Sequence, residues 1–235
     1  MLHFKAIGKI MGALLFILGS LMLPAAAISW IYQEDSSPIL IAAAISLLMG
    51  LLLFFSLSKE EPLIRKREGY LIVALSWILM SIFGMIPFII SEEVTTTADA
   101  LFETVSGLTT TGATILTDIE SMPKGLLFWR SMTHWIGGMG IIVLTVAIFP
   151  LLGIGGIELF VAESPGPTSD KVHPRISETA KRLWYIYVGL TVVCALLFWA
   201  GGMTLFDAVN HSFATLATGG FSTKNASLAY FDSAF

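Results

Sequence analysis

Five apolar runs, each about the length of a bilayer crossing, decide most of what this chain can become. They cover residues 10–32, 38–57, 69–90, 125–152 and 183–200. A helix needs about 20 such residues to span the hydrocarbon core, and with no water there its backbone groups must bond within the segment. The composition agrees: 55% of residues are hydrophobic and 13% charged, against a charged share of about 25% in soluble domains. The expected class is an all-α integral membrane protein. The first run follows Lys5 and Lys9 as a signal peptide would, but it continues to residue 32 with no small-residue cleavage site, so it is read as a span. The lone cysteine, Cys194, cannot form an intrachain disulfide and reads as packing or lipid-facing filler.

With a net charge of -4, the placement of the charges says more than their sum. If the N-terminus is cytoplasmic, the inner segments collect Lys5, Lys9, Lys59, Arg65, Lys66, Arg67, Lys171, Arg175, Lys181 and Arg182, ten of the thirteen basic residues. The outer side keeps Lys124, Arg130 and Lys224. This is the bias of the positive-inside rule. It requires residues 92–124 to begin and end outside, so the amphipathic stretch within them can dip into the membrane but cannot cross it.

That stretch is repeated. Thr96 to Thr114, TTADALFETVSGLTTTGAT, returns 108 positions later as TLFDAVNHSFATLATGGFS, Thr204 to Ser222. The copies share Thr96/Thr204, Asp99/Asp207, Ala100/Ala208, Leu108/Leu216, Thr110/Thr218 and Gly112/Gly220. Each opens with Thr-x-x-Asp, a helix-start signal in which Thr caps and Asp favours the positive end of the helix dipole. A helix of about ten residues should follow, its carbonyl end directed into the membrane, where it favours a cation. Then come Thr110-Thr111-Gly112-Ala113 and Thr218-Gly219-Gly220-Phe221. Glycine permits conformations that turn successive carbonyls to one side, and carbonyls around a narrow axis can replace the water shell of a monovalent cation. As simple turn glycines of outer loops, Gly112 and Gly220 would not need the apolar Ala100, Leu101, Phe102, Val105 and Leu108 before them.

The expected organisation is a two-helix leader (1–58), a helix, re-entrant loop, helix unit (66–152), a cytoplasmic connector (153–182) and a second unit (183–235) without its closing helix. Several segments resemble the membrane subunit of Trk-type potassium uptake systems, in the Trk, Ktr and HKT superfamily. They are HFKAIGKI, KREGYLIV, SGLTTTGAT, HWIGGMGI, AESPGP, RISETAKRLWYIY and HSFATLATGGFST, and the resemblance extends over the whole chain. Members carry four such units around one pore, so this chain resembles the leader, the first unit and most of the second. The resemblance implies potassium as the transported ion, held by backbone carbonyls of Thr110, Thr111, Gly112, Ala113, Thr218, Gly219, Gly220 and Phe221. It also implies a bacterial inner-membrane location, a homodimer of full-length subunits, and a nucleotide-binding Trk regulatory subunit on the cytoplasmic face. Glycine at the filter position goes with potassium in the family, and serine in the first loop with sodium. No organic cofactor and no nucleic acid is expected.

Three further readings complete the expectations. Glu103 and His211 share one place in the two short helices and should support the loops by hydrogen bonds, with neighbouring Thr104 and Ser212 as partners. Arg130 is read as snorkelling to headgroups or meeting the acidic outer loop, and His134 as lacking a second ligand at metal spacing. Gly137, Gly138 and Gly140 imply close helix approach, and Gly153 to Gly156 a bend. An intramembrane enzyme would need paired catalytic groups at pore depth, which the spans lack. A non-conducting fragment or assembly module, or a sodium-permeable relative, stands as the alternative to a potassium pathway.

Overall fold

The computed structural model describes residues 4–56, 66–143 and 172–232. Among the described residues, eight α-helices and one short 3-10 turn follow in order: α1 Phe4–Ile31, α2 Ser37–Ser56, α3 Lys66–Gly84, α4 Ile86–Ile90, α5 Thr97–Leu108, α6 Lys124–Val143, α7 Val172–Ala200 and α8 Leu205–Leu216, with the turn at Ser227–Phe231. Four segments among the described residues are long and apolar enough to cross a membrane: Ile7–Ile31, Ser37–Ser56, Gly69–Ile90 and Lys181–Ala200. They bear large apolar side chains outward, among them Leu52, Phe55, Ile78, Tyr185, Leu197 and Trp199.

Helices α1 and α2 form a hairpin whose backbones nearly touch. A Cβ on Gly12 would lie 2.7 Å from the Phe54 nitrogen, and one on Gly50 would lie 2.6 Å from the Phe16 nitrogen. Small residues serve where apolar surface alone does not drive association, because close backbones gain van der Waals contact. The third apolar run is divided at Met85 because Pro87 has no N–H to continue the ladder. Phe88 and Ile89 both donate to the Met85 carbonyl, which frees the Gly84 carbonyl for the indole N–H of Trp129 at 2.9 Å.

Helix α6 is the axis of the fold, touching α1, α5, α7 and α8. Of the fourth apolar run, residues 125–143 are described, and they are not apolar enough to join the four candidate spans. The reason is the buried polar set Arg130, Ser131, Thr133 and His134, which faces protein rather than lipid. Its glycines permit this central position. A Cβ on Gly137 would lie 1.9 Å from the Leu108 carbonyl oxygen, and one on Gly138 would lie 2.7 Å from the Tyr187 hydroxyl and 3.0 Å from Ala217. The Gly153 to Gly156 stretch and most of the connector fall outside the described residues. The connector's last part is helix rather than loop: α7 begins at Val172, eleven residues before the apolar run, with Pro174 in its first turn, where a missing N–H costs nothing.

Candidate functional site

The two repeated stretches fold alike. Thr96 and Thr204 cap α5 and α8, each hydroxyl accepting the backbone N–H three residues on at 3.1 Å and donating to that aspartate's carboxylate at 2.8 Å. Both helices run twelve residues, to Leu108 and Leu216. Both end in the same Schellman turn. Thr110 N–H donates to Gly107 and Thr111 N–H to Ser106, while Thr218 N–H donates to Thr215 and Gly219 N–H to Ala214. The turn places a threonine in the left-handed region in each copy, φ 55° at Thr110 and at Thr218. Two residues on, Gly112 has φ 77° and Gly220 φ 100°. A β-branched residue at positive φ is a true outlier, and such strain gathers at functional sites.

The loops meet each other. A Cβ on Gly112 would lie 1.9 Å from the Gly219 carbonyl oxygen. Thr109, Thr111, Thr218 and Gly220 keep an open side, and a cavity of about 260 Å³ lies against the second loop, lined in part by His211, Thr218, Gly219 and Gly220. The Ala113 carbonyl differs from its neighbours because it accepts the Ser106 hydroxyl. Position 214, which matches Ser106, is alanine, so the second loop has no such lock.

Behind the loops lies a buried polar network centred on Glu103 and Arg130, each 1% exposed. Glu103 accepts the Thr114 hydroxyl at 2.8 Å, the Ile115 N–H at 3.1 Å and Arg130 Nε at 2.6 Å. Arg130 Nη1 donates to the Ser222 carbonyl at 3.0 Å, and its guanidinium lies 3.6 Å from the Phe221 ring centroid. The expectation that Arg130 snorkels is therefore corrected: its charge is matched inside, where removing either partner of such a pair is costly. Glu103 and His211 do support the loops, with different partners than expected. His211 Nε2 meets the Ser222 hydroxyl at 2.9 Å and Nδ1 the Asp207 carbonyl at 2.8 Å. Ser222 lies 108 residues after Thr114, so the repeat extends to this bond as well.

His134 is fully buried, its ring stacked 4.0 Å from Phe221, and among the described residues neither ring nitrogen has a hydrogen-bond partner. Among the described residues no group of three or more His, Cys, Asp or Glu could hold a metal ion. Asn225, which sequence reasoning missed, joins the two units outside the membrane helices. Its Oδ1 accepts Ile119 N–H at 2.7 Å and its Nδ2 donates to Asp118 at 3.1 Å. That second bond lowers the Asp118 carboxyl from its ordinary pKa.

The family model described as TrkH, cation transport protein, matches residues 35–235. The chain belongs to the TrkH family. It is 49% identical over 235 residues to the Trk system potassium uptake protein TrkH of Escherichia coli K12, covering 99% of this chain and 49% of that relative. Against the Trk system potassium uptake protein TrkG of the same organism it is 40% identical, over 98% of this chain and 48% of that one. The crystal structure of the potassium transporter TrkH from Vibrio parahaemolyticus superposes with a TM-score of 0.86 at 43% identity, covering 99% of this chain and 47% of that chain. The chain thus spans about half the length of the TrkH relatives it matches. The four apolar helices fit an integral membrane protein of this family.

Proposed function

We propose that the repeated loops are two parts of a cation filter, and that the protein carries potassium inward across the bacterial inner membrane as the membrane subunit of a Trk-type system. One observation supports this most: both copies reverse after a capped short helix into the same alternation of left-handed Thr and left-handed Gly. In each turn the backbone N–H groups fold back onto the helix end, so the carbonyls of Thr110, Thr111, Gly112, Thr218, Gly219 and Gly220 are the groups available to an ion. Carbonyl dipoles are the ligands that exchange for a potassium hydration shell. The Ala113 carbonyl, engaged by Ser106, is the least suited of the eight carbonyls named above, and Phe221 serves chiefly through its ring. The basic residues favour a cytoplasmic N-terminus, and the relatives' naming as members of a Trk system supports a regulatory partner; its cytoplasmic place and the homodimer of full-length subunits follow from the family resemblance alone.

Substitution of Gly112 tests the assignment. Gly112→Ser adds a Cβ at positive φ against the Gly219 carbonyl, displacing one loop from the other. The expected result is membrane insertion as in the parent, with potassium uptake more readily inhibited by sodium. Unchanged discrimination in an ion-competition uptake assay would count against the filter.

A further inference from the structure

We propose that Arg130 is a positioning residue that clamps the second loop to the first unit, and so sets the discrimination between ions; this inference rests on the filter reading above. Arg130 belongs to the helix that closes the first unit, yet of the three polar or aromatic contacts its side chain makes among the described residues, two lie on the second loop: the Ser222 carbonyl at 3.0 Å and the Phe221 ring at 3.6 Å. His134, one turn along the same helix, stacks on that ring at 4.0 Å with only 16° between planes. Two groups so close to one centroid cannot share a face, so Phe221 is gripped on both sides.

The two copies differ in a way that explains the grip. The first loop is locked from within, since Ser106 donates to the Ala113 carbonyl and Glu103 takes both the Thr114 hydroxyl and the Ile115 N–H. In the second copy Ala214 stands where Ser106 would; His211 meets the Ser222 hydroxyl and Asp207 accepts the Thr223 hydroxyl, but among the described residues no α8 side chain bonds a backbone group of the loop. Arg130 supplies from outside a backbone contact, to the Ser222 carbonyl, one residue beyond the Phe221 carbonyl that matches Ala113. Glu103 holds the guanidinium at 2.6 Å, so the strut runs continuously from the first short helix to the backbone just past Gly220. A shift of Ser222 would move Gly219, whose carbonyl oxygen already abuts Gly112.

Arginine suits this place because its planar fork serves a carboxylate and a carbonyl at once while its face stacks on an aromatic ring; lysine offers a point charge alone. Arg130→Lys should keep the ion pair with Glu103 and lose the Ser222 and Phe221 contacts. The test expresses the protein as the cell makes it in a bacterial strain without its own potassium uptake, and follows initial potassium uptake, sodium inhibition and membrane abundance. Arg130→Lys is expected to raise the KM for potassium about three- to tenfold, the worth of one ordinary hydrogen bond, with sodium inhibiting at lower concentration and abundance nearly preserved. A parent-like KM and sodium response overturns the proposal. So does a loss of maximal rate that only follows abundance, which is what a purely structural arginine gives. If Arg130→Lys does not accumulate, Phe221→Leu replaces it in the same assay: a KM shift in the same direction supports the clamp, and a parent-like KM overturns it. Gly112→Ser, run in parallel, separates the two readings. If it too leaves selectivity unchanged, the filter reading fails; if it alters selectivity while Arg130→Lys does not, only the clamp fails.

Discussion

Thr110 and Thr218 hold a conformation that most helix ends give to glycine. A β-branched residue there costs on the order of 1 kcal/mol or more, so Thr218→Gly should raise the melting temperature of the detergent-solubilised protein, read by the loss of helical circular dichroism. A melting temperature at or below the parent's would mean that the hydroxyl contributes more than the strain costs. The Thr-x-Gly pairs were legible in the sequence because they recur in register, and because the turn they form is a local matter of six residues. The partners of Arg130 were not. Glu103 lies 27 positions before it and Ser222 lies 92 after it, and nothing local separates a buried arginine from one that reaches headgroups. For the same reason the sequence points Glu103 and His211 to adjacent hydroxyls, whereas the hydroxyls they bind come from beyond the turn.

Helix starts were readable because a cap involves four neighbouring residues, and both Thr-x-x-Asp signals form as written. The glycines of α6 announced close approach but not to what. Leu108 and Ala217, the ends of both short helices, are what they admit. Gly137→Ala would press a methyl into the Leu108 carbonyl, a backbone atom that cannot swing aside. The expected cost is about 2 kcal/mol or more, seen as loss of monodisperse protein in fluorescence-detected chromatography. Gly140→Ala, whose Cβ would meet only the Trp77 ring at 3.9 Å, should elute as the parent does. The fourth apolar run reads as a span from its apolar residues, of which 144–152 lie outside the described part, whereas the polar buried face of Arg130 to His134 is set by packing. The longer start of α7 is not legible in the sequence, because its charged residues and Pro174 resemble a loop, although a first turn tolerates the proline.

Across the molecule, the two units are tied by Asn225 at the loops that follow the filter turns and behind them by Arg130. The Asn225 tie has a definite pH range. Because the bond from Asn225 lowers the Asp118 carboxyl, the tie favours the folded arrangement above the ordinary aspartate value and is lost as acid protonates Asp118 through its lowered one. It should therefore persist unchanged from neutral pH to mild acid. Asn225→Ala should return the carboxyl upward toward its ordinary value, observable by NMR titration of the labelled side chain; no upward movement would show that another group holds it down.

The seat shared by Glu103 and His211 carries a last consequence. One copy fills it with a carboxylate that an arginine must answer, the other with an imidazole satisfied by a backbone carbonyl and a serine. The duplication is thus a symmetry of backbone only, and its parts are not spares for one another. Grafting residues 204–222 over 96–114 would preserve every turn, yet it would place an imidazole before Arg130 and leave a cation in the protein interior with no counter-charge.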